Sequence, residues 1–304
     1  MSTPAVLFDV PGPRARRTYQ VVGVLAVVVL VALLALVVRG LANPHDNQFT
    51  AEKWRPFLDP VTWSAYLLPG LLNTLKAAGL AVVLSLALGL LLGVGRLSGS
   101  RLVRAVCGAF VEFFRSVPVL VMMIFAYYFG VFVLGILGDA ASLFGVVAGL
   151  TLYNSSVIAE LIRSGVFSLP KGQREAGLAV GLTPSQTMMS ILLPQAITAM
   201  LPSLLSQLVV ILKDTALGYI ISYNELIRGG QNLSTLYCNL IPTFLVLAVI
   251  FIAINYALTT VARLVERRLQ RSAKGGPPVQ PTLTPAAPGA PAAVPGAGVP
   301  SGLS

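Results

Sequence analysis

The chain has 304 residues, of which 56% are hydrophobic and 11% charged, and its mean hydropathy is +0.82. A soluble domain carries about 25% charged residues, so a soluble globular protein is excluded and an all-α polytopic membrane protein is expected. The formal net charge of +10 does not point to nucleic acid, because the cations stand at the ends of apolar runs, as membrane topology requires, and no basic run is interleaved with aromatics.

Residues 1–20 read as a cytoplasmic tail, with Arg14, Arg16 and Arg17 just ahead of an apolar run at 21–38. That run is long for the core of a cleaved signal peptide and no small-residue cleavage site follows it, so a retained N-terminal transmembrane helix is favoured. An outside loop, Gly40 to Leu67, follows, in which the lone His45 is expected to be solvated and Trp63 and Tyr66 to anchor the next span at the interface. Pro69 to Gly95 is the second span, and its Gly89 and Gly93 permit close helix packing. Arg96 to Arg115 reads as an interfacial basic connector and Val117 to Gly135 as the third span, starting at Pro118. A short turn at Gly138 to Ser142 precedes the fourth span, Leu143 to Ile162. Tyr153, Asn154 and Ser155 fall deep in it and are candidates for lining a pathway, because polar groups within a span face protein or water. Glu160 and Arg163 lie three apart on one helix face, which favours a structural ion pair over a transport role.

Residues 170–194 are polar between two apolar segments, and Lys171, Arg174 and Glu175 cannot enter hydrocarbon cheaply, so this is a loop between spans. It is not a slack one. Pro170 suits a first helical turn, Gly181 fits a left-handed stop, and Thr183, Pro184 and Gln186 predict a capped second helix. A helical elbow held at the membrane surface is a docking device for a soluble partner. The fifth span, Ser190 to Ile221, contains Pro194 and Pro202 and is interrupted by Lys213, Asp214 and Thr215, read either as an interface anchor or as a group beside an outer gate. Ser222 to Asn239 is an outside loop and Leu240 to Val261 the last span. The basic cluster after it holds the C-terminus inside, and the Pro/Ala/Gly-rich tail, 272–304, is expected to be disordered. Cys107 and Cys238 fall on opposite sides of the membrane, which argues against a disulfide between them.

The order Glu175-Ala176-Gly177, three residues, Gly181, nine residues, Ile191-Leu192-Leu193-Pro194 resembles the EAA loop of ABC-importer permeases, with Gly177 where a second alanine is usual. EFFRSVPVL resembles the FRGTP signature of polar amino-acid permeases, and KDTAL their KDTSL. The likeness covers roughly Gly70 to Arg268 and is to the polar amino-acid uptake group of type I ABC importers, most of all to glutamate-system permeases of high-GC Gram-positive bacteria. It implies a five-helix permease core at 68–268, six transmembrane helices with the N-terminal one, and both termini cytoplasmic. The implied partners are an ABC ATPase dimer, an extracytoplasmic substrate-binding protein, a second permease subunit and membrane lipid, with no cofactor and no metal. The coupling contacts it implies are Arg174, Glu175, Ala176, Gly177, Gly181 and Pro194, and it favours a gate role for Lys213, Asp214 and Thr215. No GxxxxGK[ST] loop occurs, so hydrolysis would belong to the partner. An ion-coupled secondary transporter or a channel is the alternative, supported by Lys213 and Asp214 alone.

Overall fold

The computed structural model describes residues 12–43 and 47–273. His45, the first eleven residues and the tail from residue 274 onward lie outside the described residues. No strand occurs among those described, and the fold is all-α. Among the described residues, five helices are long and apolar enough to cross a membrane, or six if a pair bent by 104° counts as one span.

Helix α1, Pro13–Leu41, starts earlier and ends later than the apolar run, because Pro13 opens it and the arginines that follow are good helix formers. Its large apolar side chains are exposed on every face. A one-turn helix, Ala51–Trp54, and a 3-10 turn lead to α2, Pro60–Arg96. This helix begins nine residues before Pro69, because a π-turn at Trp63–Leu67 absorbs the amide that Pro69 lacks. Trp63 and Tyr66 pack against the buried cluster of Leu67, Leu226, Leu233 and Leu247, and the Trp63 indole donates to the Phe57 carbonyl at 2.8 Å.

Helix α3, Arg101–Ser116, meets α4, Val119–Phe132, at the 104° bend, with extended backbone at Val117 and Pro118 between them. The expected third span is therefore a helix of 14 residues, about 21 Å long, preceded by an amphipathic helix turned away from it. The turn expected at 138–142 lies earlier: Gly135 and Gly138 take the positive φ, and α5, Asp139–Phe167, already begins at Asp139. This is the central helix. Gly89 and Gly93 of α2 lie where a Cβ would strike Ile158 at 2.7 Å and Ile162 at 3.1 Å. On another side of α5, Gly149 admits the backbone of Met123.

Helix α6 is Lys171–Ala179, and Pro170 caps it rather than entering its first turn. Helix α7, Pro184–Ile221, starts behind Thr183 as its capping residues dictate and runs from the elbow into the fifth span, and a π-turn at Met188–Leu192 precedes Pro194 just as one precedes Pro69. Within the stretch expected as a loop, α8, Leu226–Tyr237, is a helix capped by Glu225. Helix α9, Leu240–Ala273, runs past Val261 into the basic cluster. Cys107 and Cys238 are free.

Candidate functional site

The elbow forms as its residues dictate. Gly181 takes φ +87, and the Leu182 amide reaches back to the Gly177 carbonyl at 3.2 Å. Thr183 and Gln186 close a reciprocal capping box at the start of α7. At 100° per residue, α6 has three faces. Gln173 and Gly177 turn toward α7: Gln195 donates to the Gln173 side chain at 3.1 Å, and a Cβ on Gly177 would sit 2.7 Å from Thr187 Cγ2 and 3.1 Å from Ile191 Cδ1. Gly177, expected on the docking surface, is instead buried against the chain's own next helix. A second face carries Lys171, Arg174, Glu175 and Leu178 and lines a cavity of about 900 Å³. The third consists of Gly172, Ala176 and Ala179, all exposed. Gly181 and Pro194 are exposed as well.

Beside the elbow, Glu160 is more than half of an ion pair. Arg163 donates to its Oε1 at 2.6 and 3.1 Å, Arg96 at the end of α2 donates to Oε2 at 2.5 Å, and Arg115 at the end of α3 lies 3.3 Å from Oε2. Arg96 also reaches Glu112 at 3.2 Å, and the Arg163 guanidinium stacks over the Phe167 ring. One carboxylate thus gathers guanidinium groups from three helices. The i,i+3 spacing revealed Arg163; Arg96 and Arg115 are distant in sequence, and their only signal was that both end a helix on the same side of the membrane.

Residues 85–271 match the family model described as the binding-protein-dependent transport system inner membrane component. The chain belongs to this family. It is 47% identical to the glutamate transport system permease protein GluD of Corynebacterium glutamicum over 74% of this chain and 82% of that one. It is 34% identical to the probable glutamine ABC transporter permease protein GlnP of Bacillus subtilis, over 67% and 94% of the two chains. Among solved structures it resembles an amino acid ABC transporter crystallised with histidines, at 27% identity and a TM-score of 0.62, over 70% of this chain and 98% of that one.

The expected pathway residues of this inner membrane component do not share one environment. Asn154 is fully buried, donating to the Leu150 carbonyl at 2.8 Å and accepting from Gln207 of α7, so it ties two spans together. Ser155 is also fully buried and donates to the Leu152 carbonyl, whereas Tyr153 is half-buried. Lys213 is exposed, Asp214 half-buried and Thr215 buried with its hydroxyl on the Leu212 carbonyl at 2.6 Å. Lys76 of α2, not singled out by sequence, is exposed and, like Lys213, has no partner among the described residues. About 20 residues, or ~30 Å of helix, separate Lys76 from Arg96, which is the thickness of the hydrocarbon layer and places Lys76 at its boundary.

At that end of the bundle a polar knot closes the structure. The Tyr223 hydroxyl donates to the Asn73 carbonyl at 2.8 Å, Asn73 donates to the Asn224 carbonyl at 2.8 Å, and the Leu226 amide donates to the Thr74 hydroxyl at 3.1 Å. The Glu225 carboxylate is wholly buried and accepts from the Ile227 and Arg228 amides, each at 2.8 Å. Burial pushes its pKa up to about 7 against the pull of those two amides. Burial, with the charges of Glu225 and Asp139, pushes the Tyr223 phenol up to about 12.

Proposed function

We propose that this chain is the translocating subunit of an ATP-driven amino-acid importer whose cargo is glutamate. Its likeness to GluD supports the cargo, and an elbow with one smooth exposed face supports the coupling. The single observation that carries the coupling is the small-residue face of α6, because Gly172, Ala176 and Ala179 let a partner's backbone approach closely. Glu175 borders that face and, with Arg174 on the cavity face, supplies charged contacts, and the turn at Gly181 presents it. Gly177 and Pro194 act from behind, by seating α6 on α7.

The partner is an ATPase dimer, because the sequence has no phosphate-binding loop of its own. A second permease subunit completes the pathway, and an extracytoplasmic binding protein delivers the substrate. Arg96, Arg101, Arg104, Arg163, Lys171 and Arg174 all cluster at the elbow end, which supports a cytoplasmic elbow and cytoplasmic termini. Tyr153, Lys213 and Asp214 face the pathway, while Asn154, Ser155 and Thr215 brace its wall. An ion-coupled transporter without an ATPase loses its ground once the chain belongs to a binding-protein-dependent family.

The test is labelled-glutamate uptake in cells lacking the wild-type permease, read with ATPase co-purification. Gly181→Asp is expected to abolish uptake and release the ATPase. Unchanged uptake with a stoichiometric ATPase would overturn the coupling, and uptake of another amino acid that excess glutamate does not compete would overturn the cargo.

A further inference from the structure

The cavity of about 900 Å³ behind α6 shares Arg174 and Glu175 with the coupling face, but its interior serves none of the roles assigned above. It opens between the end of α2, the first turn of α3, the end of α5, α6 and the start of α7. Its depth follows from the spans. Arg96 ends α2 at one hydrocarbon boundary, and the cavity begins there, lined by Leu97, Ser98 and Gly99 of the connector. It therefore lies at the level of lipid headgroups. Helix α3 supports this depth independently: it bends 104° away from the next span and exposes Leu102, Val103, Val106 and Phe113 alongside Arg101 and Arg104, the pattern of a helix lying in the interface.

The lining has two chemistries. One wall is apolar, with Phe167, Leu178 and Met189 exposed and Val166 and Leu192 buried behind them. The rim is cationic. Arg96 is spent on Glu160 and Glu112, but Arg104 donates only to the Ser98 carbonyl, and Lys171 and Arg174 have no partner among the described residues. Against these three cations stands one carboxylate, Glu175, in no ion pair. A ligand matching this lining carries a negative headgroup and an apolar tail and arrives from the plane of the membrane.

We infer that the cavity holds one acidic phospholipid from the inner leaflet, with its phosphate on Arg104 and Lys171 and an acyl chain along Phe167 and Met189. The lipid would lie beside Arg174 and Glu175, so it would brace α6 from the face next to the small residues and make coupling sensitive to the membrane's anionic content.

The experiment uses the assembled transporter, extracted in neutral detergent and analysed by native mass spectrometry after exchange with equal amounts of phosphatidylglycerol and phosphatidylcholine. The wild type is expected to retain one phosphatidylglycerol per permease chain, at least tenfold enriched over phosphatidylcholine. Arg104→Gln with Lys171→Gln should lose that enrichment while keeping its ATPase subunits, and Arg104→Lys with Lys171→Arg should keep it. Should the neutral variant fail to assemble, Phe167→Trp in the otherwise wild-type chain reports directly: brominated phosphatidylglycerol should quench its fluorescence more than brominated phosphatidylcholine. Equal retention or equal quenching by the two lipids, or enrichment that persists in the assembled neutral variant, would overturn the assignment.

Discussion

The two ends of α5 are fastened by different physics. At the elbow end a single carboxylate, Glu160, holds Arg96, Arg115 and Arg163. At the other end the Asp139 carboxylate accepts, among the described residues, only from Asn224, at 3.3 Å, and the joint is made by neutral groups: a phenol, two asparagines, a threonine and a capped helix terminus. Coulomb attraction falls slowly with distance, whereas a hydrogen bond is lost over a few tenths of an ångström and a few tens of degrees. The elbow end can therefore stay joined while its helices shift, and the far end is either closed or open. That asymmetry suits a molecule in which motion is received at one end and a gate answers at the other.

The largest expected effect tests whether the ends are independent. Glu160→Gln leaves three guanidinium groups without their shared acceptor, and breaking a partly buried hub of this kind costs about 3 kcal/mol. Hydrogen exchange should quicken in α3 and at the end of α2 and stay unchanged in α8. Equal quickening in α8 would show that the ends are not separable. Added salt should weaken the wild type in the same places, because the node is partly exposed.

The far end is reached next by pH. Glu225 has an ordinary pKa of 4.5 and is raised to about 7 in the fold. Below pH 4.5 the carboxyl is protonated in folded and unfolded chains alike; between 4.5 and 7 only the folded chain keeps its proton. Stability thus falls as pH rises through that window, by up to about 3 kcal/mol, and levels off above it. In Glu225→Gln the fall should vanish, as read from unfolding midpoints in detergent at pH 5 and pH 7.5.

Much of the elbow end was legible in the sequence, and little of the far end. The elbow is written in local signals, each within one or two turns: Gly181 for a left-handed stop, Thr183 and Gln186 for a capping box, Glu160 and Arg163 on one face. The far end joins residues about 150 apart, Asn73 to Tyr223 and Thr74 to Leu226, and no periodicity announces such a pair. Helix α8 was hidden because its Glu225 cap reads as a solvated loop charge until burial is known. The start of α7 at Pro184 was written in its capping residues, whereas the π-turn that carries the helix past Pro194 has no such local signal. Gly177 reads as a softened docking surface on propensity alone, and only the position of Thr187 shows that the missing methyl makes room inside the chain.

That last point gives a smaller, sharper test at the elbow end. Gly177→Ala restores the residue usual in the EAA loop and places a methyl 2.7 Å from Thr187 Cγ2, so overpacking should cost about 1–3 kcal/mol despite the better helix former. Thr187→Ser removes the colliding methyl and should recover most of the loss in the double variant, measured as unfolding midpoint and as ATPase retention. No recovery would mean that α6 does not sit on α7 as the Gln173–Gln195 bridge and the Thr187 contact require.

The smallest expected effect is Tyr223→Phe, which removes a single neutral hydrogen bond to the Asn73 carbonyl and should cost about 1 kcal/mol. Its worth lies in its independence of charge. The phenol stays protonated until about pH 12, so the loss should be the same at pH 5 and pH 7.5, while the fall owed to Glu225 persists in full. Exchange should quicken at the start of α8 and leave α3 and the end of α2 untouched, the mirror of Glu160→Gln. A loss that grew with pH would mean that Tyr223 and Glu225 act as one charged unit, and the far end would then be an electrostatic joint like the elbow end.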